Sequence, residues 1–209
     1  MRKQIGIITA LMLIMSVLVL TGCGGNNDSS EKVDASEDVQ TEQDAASGAG
    51  SGDTLVVYFS ATGNTKAVAE KIASITGADT YEIKAAQEYT DADLDWNDSD
   101  SRTTHEQNDA SVRPEIGSDP VSLEGYKTIY IGYPIWWGEE PRIMDTFVES
   151  YDFDGITMIP FCTSSSSGIG RSGKNLADKA GSGNLLEGER FGGGASEEEL
   201  KTWIEGLKQ

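Results

Sequence analysis

Histidine, cysteine and cations are scarce in this chain of 209 residues, and each scarcity removes a class of chemistry. The single histidine, His105, sits in an acidic, polar stretch and reads as a solvated surface residue, so a Ser-His-Asp hydrolase has no second base candidate. No cluster of His, Cys, Asp and Glu has metal-ligand spacing. The run Asp91, Asp93, Asp95, Asp98 and Asp100 lacks the glycine and the bidentate glutamate at the offsets of a calcium loop and reads as a solvated acidic face. Lys and Arg total 16 against 35 Asp and Glu, a net charge of -19, which argues against nucleic acid as a partner.

The long apolar run is confined to the start. Arg2 and Lys3 precede a nearly all-apolar stretch from Ile5 to Leu20, and Leu20-Thr21-Gly22-Cys23 places small residues just before a cysteine. This order predicts a bacterial lipoprotein signal peptide over 1–22, with lipid on Cys23, against the alternative of an uncleaved span. More than one acyl chain, at roughly 0.8 kcal/mol per buried CH₂, gives stable attachment. The expected location is the outer face of the bacterial cytoplasmic membrane. With Cys23 carrying lipid, Cys162 has no thiol partner and no internal disulfide forms. Residues 23–53 form the lipidated cysteine and an acidic tether, because Gly, Ser, Asn, Asp, Glu, Gln and Ala dominate and such a segment cannot offset its ordering entropy. Residues 54–209 are long enough for one core.

Within that domain, Leu55-Val56-Val57-Tyr58-Phe59 is a short continuous apolar run, as expected of a strand buried on both faces. Asn64–Ile75 has helical spacing, Asp79–Lys84 alternates like a strand, and 85–125 is a long polar region, functional or partly helical. Lys127–Tyr133 and Ile156–Cys162 read as strands, Pro141–Ser150 as a helix, and a further helix runs to about Lys179. Leu185–Gly194 reads as a weak last strand with its exit loop, and Ser196–Leu207 as a closing helix with a capping box at Ser196 and Glu199. Strands alternating with helices predict a doubly wound α/β sandwich, with ligands at the carboxyl ends of its strands.

Three loops fall at such ends. Ser60-Ala61-Thr62-Gly63-Asn64-Thr65 surrounds a helix N-terminus with hydroxyl and amide groups and has no lysine, which suits a monophosphate held by neutral donors or an ordinary helix cap. Tyr133-Pro134-Ile135-Trp136-Trp137-Gly138 offers adjacent indoles, either a lid or a stacking surface for a flat ring. Thr163-Ser164-Ser165-Ser166-Ser167-Gly168-Ile169-Gly170 offers small donors or simple flexibility.

Val57-Tyr58-Phe59-Ser60-Ala61-Thr62-Gly63-Asn64-Thr65 resembles the phosphate-binding fingerprint of the flavodoxin family, a serine or threonine, any residue, then T-G-N-T. The resemblance extends over Thr54–Gln209. It implies a flavodoxin-like doubly wound, five-stranded parallel sheet of order 2-1-3-4-5 binding FMN. Ser60, Ala61, Thr62, Gly63, Asn64 and Thr65 would hold the phosphate. Pro134, Ile135, Trp136, Trp137 and Gly138 would lie against the isoalloxazine, with Gly138 permitting a peptide flip, and Thr163, Ser164, Ser165 and Gly168 would border its pyrimidine edge. The third loop departs from small flavodoxins in lacking an aromatic, so the outer flavin face is open or covered by Trp96 or Tyr89.

The implied role is electron transfer with a redox partner protein or a small-molecule donor or acceptor. An FMN-dependent quinone/NAD(P)H oxidoreductase and a flavin-free binding module are the alternatives, and no residue is assigned as catalytic. Export separates the domain from cytosolic NAD(P)H, which favours a carrier over an enzyme. Cys162 is expected to be a small core residue rather than a nucleophile. Arg102 and Arg113, cations inside an acidic insert, either pair with neighbouring carboxylates or meet a partner anion.

Overall fold

The computed structural model describes residues 52–207. The expected leader at 1–22, the lipid site at Cys23 and the tether up to residue 51 lie outside the described residues. Among the described residues, no helix is long and apolar enough to cross a membrane.

The apolar runs become the centre of the sheet. β1 (Thr54–Phe59) lies between β2 (Asp79–Ile83) and β3 (Thr128–Pro134), and β3 pairs with β4 (Thr157–Thr163), all parallel. α1 (Asn64–Thr76) follows β1, α2 (Arg102–Asn108) lies in the long polar region, and α3 (Arg142–Glu149) follows β3. After β4 come α4 (Ser172–Ala180), β5 (Asn184–Leu185), β6 (Glu189–Phe191) and α5 (Glu197–Gly206). The order β2-β1-β3-β4-β5 is the one implied by the family resemblance.

Side chains alternate across each strand, so the sheet carries two cores. Leu55, Val57 and Phe59 face Ile143, Met144 and Phe147 of α3 and Leu176 of α4. Val56 and Tyr58 face Val68 and Ile72 of α1 and Leu200 and Ile204 of α5. Cys162 is fully buried, and burial pushes its thiol pKa up to about 12, which suits the packing role expected of it.

The last strand departs from expectation. Leu185–Gly194 reads as one weak strand with its exit loop, but the edge position is divided between β5 and β6, both parallel to β4. The cause lies in β4. Met158 accepts from Leu186 N at 2.9 Å, so Pro160, of the same parity, turns its main chain to this edge but has no N–H to give. The ladder breaks there and resumes one residue out of step: Met158 pairs with Leu185, whereas Phe161 pairs with Glu189. Gly188 fills the break, since a Cβ there would collide with the Pro160 carbonyl.

The polar region 85–125 folds over the α3 side. Its return leg pairs antiparallel with the chain leaving β2, through Ala86 N to Glu115 O (2.9 Å) and Gly117 N to Lys84 O (2.8 Å). Tyr89, Ile116, Val121 and Leu123 pack on the core beneath. Arg102 and Arg113 both take the carboxylate alternative. Arg102 pairs with Glu106 (2.7 Å) while lying over the Tyr89 ring, and Arg113 pairs with Glu149 (2.7 Å).

Candidate functional site

The carboxyl ends of β1, β3 and β4 open onto one polar cleft of about 680 Å³. Thr62 and Asn64 enter it from the first loop, Pro134, Ile135 and Trp136 from the second, and Thr163 to Ser167 from the third. Arg190, Gly192 and Gly193 close it from β6 and its exit, and Trp96 reaches it from the insert.

The first loop is shaped from within. Gly63 takes a left-handed φ of 83° to cap α1, and Ser60 Oγ accepts the Lys66 amide at 3.1 Å. Asn64 Nδ2 donates to Thr62 Oγ1 at 3.1 Å. Buried Thr65 shares a 2.7 Å hydrogen bond with buried Thr163, tying the first loop to the end of β4. Of the residues expected to hold a phosphate, Thr62 and Asn64 therefore line the cleft. Ser60 and Thr65 make hydrogen bonds within the fold, while Ser60 and Ala61 line a separate hollow with Glu82 and Tyr89. A Cβ at Gly193 would strike the Asn64 carboxamide, so the glycine run after β6 allows the two chains to close around the cleft.

In the third loop, Ser164 Oγ donates to Ser167 O and accepts from Arg190 Nε at 3.1 Å. The same guanidinium donates to the carbonyls of Ser164 and Ser165, each at 2.6 Å. Sequence reasoning missed Arg190, Gly192 and Gly193. The available signal was a cation followed by Phe191-Gly192-Gly193-Gly194 at the end of a parallel strand.

The second loop is a two-residue hairpin. Trp136 and Glu139 exchange both backbone hydrogen bonds at 3.0 Å, and the central residues Trp137 (φ 49°) and Gly138 (φ 82°) have the positive φ of a type I′ turn. For a tryptophan this is a strained conformation, and the insert holds it in place. Gln107 Nε2 donates to Trp136 O (2.8 Å) and Glu140 O (3.3 Å), spanning the base of the hairpin. Arg142 donates to Gln107 O (3.0 Å) and to Glu139 Oε2 (2.9 Å).

On the insert side of this hairpin lies a second, apolar cavity of about 360 Å³. Leu94, Trp96 and Thr103 of the insert face Ile135, Trp136 and Trp137 across it, with Thr62 at one end. Trp136 lines both hollows and packs edge-on against Phe59 and Tyr89. Trp137 lines only the apolar one. Tyr89, considered above as a cover for the flavin, instead sits under Trp136 with its hydroxyl donating to Glu106 at 2.8 Å.

Beneath the hairpin, two fully buried carboxylates share one lysine: Lys179 Nζ lies 2.8 Å from both Glu140 Oε1 and Asp145 Oδ1. Asn175 donates to Glu140 Oε2 at 3.2 Å, while Arg142 and Arg113 approach Asp145 at 3.7 and 3.9 Å. Burial outweighs these cations and pushes the Asp145 pKa up to about 6. Among the described residues, no group of His, Cys, Asp and Glu could hold a metal ion.

A five-position parallel sheet with a polar cleft across three strand ends, closed by a capped helix and an aromatic hairpin, defines a doubly wound protein of the flavodoxin class. The flavodoxin family model matches residues 53–207, and the chain belongs to that family. Among solved structures, a candidate flavoprotein from Bacteroides eggerthii is 42% identical with a TM-score of 0.70, covering 75% of this chain and 98% of its own. One from Bacteroides uniformis is 48% identical with a TM-score of 0.70, covering 73% and 97%. A Lactobacillus acidophilus flavoprotein solved in complex with FMN shares the fold at 23% identity and a TM-score of 0.53, covering 75% and 98%. No curated protein matches the chain.

Proposed function

We propose that this protein binds FMN in the polar cleft and serves as an electron-transfer flavoprotein, tethered by lipid on Cys23 to the outer face of a bacterial membrane. The observation that carries the reading is the convergence of Thr62, Asn64, Trp136, the 163–167 loop and Arg190 on one cleft at the strand ends of a flavodoxin-family chain. The donor set fits FMN. Thr62, Asn64 and the start of α1 suit a phosphate, the room left by Gly193 suits a ribityl chain, and Trp136 with the serine loop suits the ring and its polar edge.

The bound flavin would supply the redox chemistry, and the residues bind and orient it. The acidic surface disfavours an anionic reduced ring and thereby lowers its potential. No acid or base is required of the protein, which agrees with the scarcity of histidine.

Two measurements test this. Titrating FMN with the purified domain should quench flavin fluorescence and shift the visible bands, and unaltered flavin spectra at micromolar protein would refute the cofactor reading. In a bacterial host that processes lipoproteins, the chain should incorporate labelled fatty acid and partition into detergent, whereas Cys23→Ser should do neither. A soluble, unlabelled wild-type product would remove the anchor.

A further inference from the structure

We propose that the groove at the amino ends of β1, β3 and β4, on the α1 and α5 face of the sheet, is a second ligand site, suited to the uncharged glyceride end of a single-chain lipid. The proposal rests on the lipid-anchor reading for its biological meaning, since that reading puts the domain beside a membrane. Its structural basis is independent of the anchor and of the cofactor. The groove shares no lining residue with the polar cleft, which lies at the opposite ends of the same strands.

The groove holds about 530 Å³, within the range of small-ligand sites. Its floor is two rows of side chains across the sheet. Thr54, Thr128 and Thr157 are register partners, so their hydroxyl-bearing side chains stand about 4.8 Å apart on one face. Tyr130 and Ile159, partners in the same register, form the row behind. Tyr130 is only 5% exposed, yet its hydroxyl has no hydrogen-bond partner among the described residues. A buried tyrosine hydroxyl ordinarily finds one, so this group marks where a ligand's polar atom completes the floor. Burial raises the Tyr130 pKa, which keeps the group a neutral hydroxyl that both donates and accepts. The hydroxyls of Thr128 and Thr157 are likewise unpaired among the described residues, whereas Thr76 donates its own to Ile72 O at 2.7 Å.

The walls are aliphatic, and the rim carries no spare cation. Ile75 at the end of α1 and Ile204 and Leu207 at the end of α5 line the sides, and exposed Leu186 extends the apolar surface to the lip beside β5. An open apolar surface continuous with a polar floor fits an amphiphile. Lys201 is paired with Glu197 at 3.3 Å and Glu205 also lines the groove, so an anionic head gains no free partner. A glyceride answers each feature: its ester carbonyl accepts from Tyr130, its hydroxyls meet the threonine row, and its chain covers the isoleucines and leucines. On the anchor reading such lipid is at hand, because the chain leading back to Cys23 joins the domain at Thr54, the first residue of β1, which lines the groove.

The test titrates 1-octanoyl-rac-glycerol into the lipid-free Cys23→Ser protein with its isoleucine methyls labelled for NMR. Methyls of Ile75, Ile159 and Ile204 should shift saturably, while Ile143 on the other face of the sheet and Ile135 at the polar cleft stay fixed. The dissociation constant should rise at least threefold in Tyr130→Phe, which loses a hydroxyl that the fold does not use, and at least threefold in Thr128→Val. It should be at least fivefold higher for octanoate, which puts a carboxylate in place of the glyceride, and unchanged by FMN. Absence of a saturable shift at the groove methyls, equal shifts at Ile143, unchanged affinity in either variant, equal binding of octanoate or displacement by FMN would each overturn the proposal. A wild-type chain that takes up no labelled fatty acid would sink the anchor reading alone, because the titration decides the groove without it.

Discussion

The two hollows that meet at Trp136 are supported in opposite ways. The polar cleft is built from strand-end loops and rests on a neutral contact, the buried hydroxyl pair of Thr65 and Thr163. The aromatic cavity is half built from the insert, and the hairpin that walls it stands on buried charge: Glu140 and Asp145 around Lys179, with Arg142 gripping the end of α2. Polar walls over a neutral floor and apolar walls over an ionic floor should respond differently to the same perturbation. The difference shows that one end of a parallel sheet can carry two chemically unlike surfaces when a connection on one flank is lengthened.

The sharpest separation should come from charge placed in the polar cleft. Asn64→Asp puts a carboxylate where a phosphate would sit, and like-charge repulsion at a close, partly desolvated site amounts to about 3 kcal/mol. FMN affinity should fall about a hundredfold by fluorescence titration. The Trp137 indole resonance of the FMN-free variant should stay in place, and a shift there would couple the two hollows.

Proton concentration should act on the ionic floor alone. Asp145 has a folded pKa raised to about 6, above the ordinary carboxylate value, so the folded state binds its proton more readily than the unfolded chain. Its favourable contribution is therefore complete below the ordinary carboxylate pKa and is lost as pH rises through about 6. Asp145→Asn should remove that dependence. Relative to wild type, the variant should gain about 1–3 kcal/mol between pH 4 and pH 7.5 in urea unfolding, the upper end being the full linkage value before the lost Lys179 contact is discounted. A pH-independent difference would contradict the assignment.

How far these residues could be read from sequence follows the same division. β1, β3 and β4 were legible because buried parallel strands are continuously apolar, and Thr62 and Asn64 because a capped turn after the first strand has a recognisable composition. The insert side was opaque. α2 reads Arg-Thr-Thr-His-Glu-Gln-Asn, with no apolar residue to mark a face, yet it buries Thr103, Thr104 and Glu106. In α3 the apolar positions Ile143, Met144, Phe147 and Val148 were expected inside, but Arg142 and Asp145 are buried too. Charged residues are rarely buried unless paired, and their partners here come from distant segments, so no local pattern announces them. Arg190 was hidden in the same way, inside a strand broken by a proline in its neighbour.

Cutting the clamp between the two regions should have a smaller effect. Gln107→Ala removes the hydrogen bonds to Trp136 O and Glu140 O, costing about 1–2 kcal/mol of stability. The Glu139 amide should exchange faster with solvent while amides of β1 stay protected. Uniform loss of protection would place Gln107 in the global core instead.

The smallest expected effect has the opposite sign. Trp137→Gly relieves a left-handed φ and should stabilise the protein by about 0.5–1 kcal/mol in thermal unfolding, since type I′ turns favour glycine and asparagine. The same change removes a wall of the aromatic cavity and, on the proposed role of the hairpin, should weaken FMN binding. A variant that is both less stable and unimpaired in binding would show that the indole serves packing alone.

The slip at Pro160 and Gly188 also bears on how the edge of the sheet meets other chains. Sheets invite other chains wherever a long, straight row of unpaired amides and carbonyls is left at the side. Here one side ends in strands of two and three residues set out of step, and on the other the chain leaving β2 is paired at Lys84 and Ala86 by 115–117. On the proposed lipid anchor, domains confined to one plane would meet their own copies constantly. The β5 and β6 margin of this sheet offers no long row to extend.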